Sequence, residues 1–155
     1  MSRATLGKSV PNFELPATGA KTVRLSGLRG KKVILYFYPK DNTPGCTREG
    51  QEFSDNIAEF ATHNAVILGV SRDSIRSHEG FKSKLQLPFD LLSDEDEILC
   101  RQYDVIKEKT MFGRKVMGVE RSTFLIDENG ILRNEWRKVK VAGHISEVLD
   151  AIRST

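Results

Sequence analysis

The chain is poor in cysteine. Two thiols among 155 residues, Cys46 and Cys100, are too few for a disulfide scaffold. They form no C-x-x-C pair, which removes zinc-knuckle and thioredoxin-type dithiol readings. No apolar run approaches the roughly 18 residues of a membrane span, and the start, MSRATLGKSVPNF, lacks the apolar stretch of a secretory signal. A cytoplasmic protein with no membrane partner is therefore expected. Charge of neither sign dominates: 24 Lys and Arg stand against 21 Asp and Glu, interleaved, for a net charge of +3. The pI of about 8.9 then reflects a small excess rather than a basic stripe, and nucleic acid is not expected as a main partner. His63, His78 and His144 have no metal-ligand spacing with one another or with a cysteine, so they read as loop and helix-surface residues and no metal is expected. The acidic LSDEDE segment reads as a helix start rather than a cation site. Repeats, low-complexity tracts, linkers and phosphate-cradling glycine loops are missing. With 17.4 kDa and 39% hydrophobic residues, residues 1–155 suit one domain with an ordinary core.

What is present centres on VILYFYPKDNTPGCTRE, residues 33 to 49. Val33 to Tyr38 is a short run of β-branched, aliphatic and aromatic residues, which predicts a strand buried on both faces. Pro39 ends it for want of an N–H, and Asp41, Asn42, Thr43, Pro44 and Gly45 are turn or helix-start residues. Thr43 as N-cap and Pro44 as the first helical residue place Cys46 in the first helical turn. There, unpaired backbone N–H groups and the positive end of the helix dipole favour an anion, and such surroundings can lower a thiol from about 8.5 into the range of roughly 3.5 to 7.5. Thr43 can cap the helix or turn its hydroxyl toward the sulfur. The alternative for Cys46 is a small apolar residue under a loop.

Before this stretch, Phe13, Leu15, Val23 and Leu25 alternate around Gly19 and predict a hairpin, followed by a short Ser26 to Gly30 connection. After it, Phe53, Ile57 and Phe60 recur at helical spacing to about Thr62. Ala65 to Val70 is a second doubly buried strand; Ser71, Asp73 and Ser74 start a helix that ends near Leu85, and the order implies a right-handed βαβ unit. Pro88 to Leu92 is a further strand, and a helix capped by Ser93 or Asp94 carries Cys100. Residues 105 to 120 read as a loop or irregular hairpin over the surface. Ser122 to Ile126, a turn at Asp127 to Gly130, and Ile131 to Trp136 form a hairpin, and Gly143 to Arg153 is a closing helix with Ile145, Val148, Leu149 and Ile152 on one face. The expected class is α/β, with a central mixed β-sheet flanked by helices and an N-terminal β-hairpin.

Pro39, Thr43 and Cys46 form a P-x-x-x-T-x-x-C pattern inside YFYPKDNTPGCT. It resembles the active-site motif of the peroxiredoxins, specifically the bacterioferritin-comigratory-protein or Q-type group. VPNFELP, ILGVSRDS, LPFDLLSDEDE and RSTFLIDENG also fall where such a protein has them, so the likeness covers nearly the whole chain. The resemblance implies a thioredoxin-like fold and a thiol-dependent peroxidase that reduces hydrogen peroxide and organic hydroperoxides through a Cys46 sulfenic acid, with no cofactor. It implies Arg121 as the residue that stabilises the thiolate and orients the peroxide, with a strand-end surface charge as the alternative. Thr43 becomes a hydroxyl partner of the sulfur and Pro39 a shield of the pocket. Glu49, one turn beyond Cys46, would hold Arg121, although an ordinary first-turn acid is the competing reading.

The chain departs from the group where a second, resolving cysteine is expected: Gln51 occupies one such position, and Phe81 and Lys82 lie at the other. Cys100 remains as a possible resolving thiol, but beside Ile98, Leu99 and Tyr103 it is more simply a half-buried helix residue. The expectation is a one-cysteine cycle completed by an external thiol such as thioredoxin, glutaredoxin or glutathione, in a monomer or weak homodimer. The competing class is a redox sensor, or a holdase or binding module, with little turnover.

Overall fold

The computed structural model describes residues 3–155. Its centre is β3 (Lys32–Phe37), in which every residue is buried. Side chains alternate across a strand, so Val33, Leu35 and Phe37 enter one core while Ile34, Tyr36 and Tyr38 enter another. The sheet thus separates two apolar layers. On one side β3 pairs in parallel with β4 (Ala65–Ser71), which pairs in parallel with β5 (Asp90–Ser93). On the other side it pairs antiparallel with β8 (Ser122–Ile126), and β8 with β9 (Leu132–Trp136). The N-terminal hairpin, β1 (Glu14–Ala17) and β2 (Lys21–Arg24), joins through β5, for the order β2-β1-β5-β4-β3-β8-β9. The sheet is mixed, as expected, and a 3-10 turn, Leu25–Leu28, leads into the connection that follows the hairpin.

Helices α1 (Pro44–Asp55) and α2 (Ile57–Thr62) cross from β3 to β4, and α3 (Ile75–Leu85) crosses from β4 to β5. Here the sequence expectation of one helix to Thr62 is corrected. The chain breaks at Asn56, whose side-chain amide donates to the Glu52 carbonyl while its backbone N–H donates to that of Phe53. Phe53, Phe60 and Phe81 pack on the same layer as Tyr36, Tyr38 and Cys46. α5 (His144–Arg153) covers this layer too, through Ile145, Val148, Leu149 and Ile152. α4 (Ile98–Gln102) buries Leu99 and Cys100 in the opposite layer. Its start is held by Asp94, whose carboxylate accepts the N–H groups of Leu99 and Cys100.

Residues 106–119 form a two-stranded hairpin, β6 (Ile106–Met111) and β7 (Arg114–Val119), the second of the two expected forms but regular in its pairing. Its two-residue tip places Phe112 at φ 52° and Gly113 at φ 76°, the doubly left-handed pair of a type I′ turn. A phenylalanine at the first position hides that turn from sequence, where asparagine or aspartate would announce it. Among the described residues no helix is long and apolar enough to cross a membrane.

Close packing where β3, β4 and β5 meet yields a stability prediction. Gly69 lies between Tyr36 and Leu91 in register, and a Cβ there would sit 2.8 Å from Leu91 Cδ2 and 2.9 Å from the Tyr36 ring. Gly69→Ala is expected to cost about 1–3 kcal/mol as an overpacked core, read as a lower midpoint in denaturant with an unchanged slope.

Candidate active site

The carboxyl end of β3 and the first turn of α1 build the site. Tyr38 still donates its N–H to Val70 O beyond the last strand residue; Pro39, half-buried, then ends the ladder. Thr43 stands at the N-cap with Pro44 first in the helix. The first intrahelical bond runs from Thr47 N–H to the Thr43 carbonyl, so the amides of Gly45 and Cys46 precede it and have no helical acceptor. Cys46 is 1% exposed.

Arg121 arrives from another part of the chain. Antiparallel pairing of Ser122 with Phe37 sets the residue before Ser122 beside the end of β3. From there the guanidinium divides its donors: Nη2 donates to Cys46 Sγ at 3.3 Å, and Nη1 donates to Glu49 Oε1 at 2.6 Å. Cys46 and Glu49 lie three residues apart on α1, so both project on one helix face. Burial works against the Arg121 charge, but Glu49 and Cys46 outweigh it and hold the guanidinium above its usual value. Glu49 is fully buried. Burial raises its carboxyl to about 7 even against the pull of Arg121, and its Oε2, like the Tyr36 hydroxyl, finds no hydrogen-bond partner among the described residues.

Cys46, Arg121 and Glu49 are therefore brought together, with Thr43 and Pro39 on the loop leading to them. Thr43 corrects one expectation: its hydroxyl neither caps α1 nor is turned to the sulfur as donor, but donates to the Lys40 carbonyl at 2.8 Å. That bond closes the loop on itself, the local competition open to any threonine near a turn. Cys100 is not part of the group. It is fully buried rather than half-buried, in the layer on the far side of the sheet from Cys46. Burial and the Asp94 carboxylate push its thiol well above the ordinary range.

The histidines also depart from expectation. His78 and His144, read as surface residues, are buried at 0% and 1% exposure. His144 Nε2 lies 2.8 Å from Thr123 Oγ1, and burial, aided by the Arg121 charge, lowers its ring to about 4, which leaves it neutral near pH 7. Gly45 was legible only as a turn residue. A Cβ on it would stand 3.1 Å from Arg121 Nη2, so a glycine there lets the guanidinium close on the helix start.

The AhpC/TSA family model matches residues 6–135. The chain belongs to the AhpC/TSA family, in its Bcp or Q-type peroxiredoxin branch. It is 50% identical over 144 residues to a putative peroxiredoxin Bcp of Coxiella burnetii, covering 93% of this chain and 95% of that one. A PrxQ variant of Xylella fastidiosa superposes with a TM-score of 0.93 at 45% identity, covering 99% and 98% of the two chains. The bacterioferritin comigratory protein of Xanthomonas campestris, studied for alkyl peroxide reduction, gives 0.88 at 49% identity over 92% and 90%. The thioredoxin fold of these peroxiredoxins is the fold of this AhpC/TSA member.

Proposed function

We propose that Cys46 carries the reaction of this chain, a thiol-dependent peroxidase, and that the enzyme runs a one-cysteine cycle. The observation that carries this reading is the Arg121 guanidinium donating to the Cys46 sulfur while held from behind by a buried carboxylate. The thiolate attacks one peroxide oxygen, the O–O bond breaks, and Cys46 becomes a sulfenic acid while the departing oxygen takes up a proton, equivalent to the one the thiol gave up, and leaves as water or an alcohol. Low basicity alone makes a slow nucleophile, so the site must also stabilise charge across the breaking bond. Arg121 and the Cys46 N–H are the donors at this helix start suited to that task, while the Thr43 hydroxyl, whose proton goes to the Lys40 carbonyl, is left as an acceptor. Pro39 shields the sulfur side of the loop. Hydrogen peroxide and organic hydroperoxides are the proposed substrates, the second supported by the alkyl peroxide reduction of the X. campestris relative.

A sulfenic acid on Cys46 needs a thiol to reduce it. Cys100 lies across the sheet, and a disulfide requires Cα atoms within about 7 Å, so an external thiol, such as thioredoxin, glutaredoxin or glutathione, is the proposed reductant of a cytoplasmic monomer or weak homodimer. Mass spectrometry of each cysteine after one equivalent of peroxide tests this. One oxygen on Cys46, none on Cys100, and continuing turnover under excess thiol support the reading. A Cys46–Cys100 disulfide that forms within the monomer and is reduced by thioredoxin rejects the one-cysteine cycle, and consumption of a single equivalent per chain would make the protein a sensor. Cys100→Ser is expected to keep turnover within about twofold of the parent, as a near-isosteric change outside the site; a collapse of the coupled peroxide assay would count against the cycle.

A further inference from the structure

The loop that carries Thr43 toward Cys46 is fastened by a buried polar network that the reaction itself does not use. Asp41, 4% exposed, sits between Pro39 and Thr43. Its Oδ1 accepts the Tyr38 hydroxyl at 2.6 Å, and its Oδ2 accepts the Ser77 hydroxyl at 2.8 Å. The same Oδ2 lies 2.8 Å from His78 Nδ1. The Asp41 N–H donates to Asp73 Oδ2 at 2.9 Å, an oxygen that also accepts the Ser71 hydroxyl. His78 is fastened in turn, its Nε2 2.9 Å from the Leu92 carbonyl. Since a carbonyl only accepts, Nε2 bears a proton. Burial opposes charge on Asp41, yet the bonds from His78, Tyr38 and Ser77 outweigh it and hold the carboxyl below its usual value.

The network thus ties one loop to the end of β4, the start of α3 and the middle of β5. Ligand atoms of Asp41, Asp73 and His78 come within 4.8 Å of one another. The hydroxyls and the amide just named already engage Asp41 Oδ2 and Asp73 Oδ2, so hydrogen bonding accounts for the convergence. Asn42, the next residue, sits at φ 65°, a left-handed turn conformation that asparagine tolerates.

Cys46 at 1% exposure is out of reach of any incoming thiol larger than a peroxide until this loop or the first turn of α1 moves. We propose that Asp41 and His78 are positioning residues that clamp the 39–43 loop leading into α1: they hold the helix start that carries Cys46 in place for peroxide, and they set how often that sulfur becomes reachable by the reducing thiol. The role in turnover rests on Cys46 as the reacting thiol; the clamp itself does not.

The test uses alkylation of the reduced, full-length protein under native conditions, with each cysteine followed by mass spectrometry. Cys100, buried on the other side of the sheet, serves as an internal control, since general loss of stability exposes both thiols while loosening of the loop exposes only Cys46. Asp41→Asn and His78→Gln are expected to accelerate Cys46 alkylation by about 10- to 100-fold, the size of one lost hydrogen bond to a charged group, with Cys100 unchanged. Stopped-flow oxidation of Cys46 by hydrogen peroxide is expected to slow in the same variants. Should either fail to fold, Ser77→Ala removes one bond to the same Asp41 oxygen and is expected to give a smaller, equally selective acceleration. Parallel acceleration at both cysteines, or none at Cys46, overturns the clamp. Because alkylation requires no peroxidase activity, failure of the catalytic reading leaves this result interpretable.

Discussion

Arg121→Ala is expected to slow peroxide oxidation of Cys46 by about two to three orders of magnitude, the usual consequence of removing a fixed donor from a developing negative charge. The expectation follows from the double use of one guanidinium, with Nη2 on the sulfur and Nη1 on Glu49. Arg121 keeps only 15% of its side-chain surface and Glu49 none, so solvent screens this pair far less than the surface pairs of the same protein. Alanine therefore does two kinds of harm. The sulfur loses the cation that favours its anionic form, and Glu49, which burial already holds at about 7 against the pull of Arg121, loses the partner that favours its ionised form and is left as a buried, protonated carboxyl without its hydrogen bond. Lysine restores the charge but not the geometry, because one ammonium cannot reproduce a planar fork serving two acceptors; Arg121→Lys should recover stability more than rate. Stopped-flow oxidation and denaturant unfolding of both variants measure the two effects separately. An alanine variant within threefold of the parent rate would remove Arg121 from the mechanism.

How far such a site can be read from sequence depends on the range of the interactions that make it. The strand at Val33 to Tyr38, the Thr43–Pro44 helix start and the apolar stripe of α5 are local patterns, and each appears within a residue or two of its expected place. Cys46 and Glu49 share a helix face by spacing alone. Arg121 does not: its approach to Cys46 is set by the pairing of Phe37 with Ser122, and only the family resemblance pointed to it. The burial of the histidines is hidden from the sequence for the same reason. Nothing around His78 in the sequence shows that Asp41 and the Leu92 carbonyl will satisfy both ring nitrogens, and without that knowledge a histidine on a polar helix is placed at the surface. Thr43 fails differently, since a hydroxyl near a turn has several acceptors of similar worth, and the Lys40 carbonyl won.

Glu49→Gln is expected to alter stability in a pH-dependent way with the opposite sign to that of an ordinary carboxylate. The folded protein holds this carboxyl at about 7, against an ordinary value of 4.5, because burial exceeds the pull of Arg121. Between these values the native state keeps a proton that the unfolded chain has released. The contribution of Glu49 is thus fully present below about 4.5 and is lost as pH rises through 7, and stability from this group falls with rising pH. At about 1.4 kcal/mol per unit the whole change is roughly 3 to 4 kcal/mol, about three hundredfold in the folding equilibrium. Glutamine cannot titrate, so denaturant midpoints of the variant, followed from pH 4 to 8, should lack this decline relative to the parent. Its amide oxygen can still accept from Arg121 Nη1, so the oxidation rate should fall only about tenfold, whereas Glu49→Ala, which leaves Nη1 without an acceptor, should fall further. Parallel stability curves for parent and Glu49→Gln would show that the carboxylate is ionised throughout, with Arg121 prevailing over burial. The triad would then be a permanent ion pair behind the sulfur rather than one that forms as pH passes neutrality.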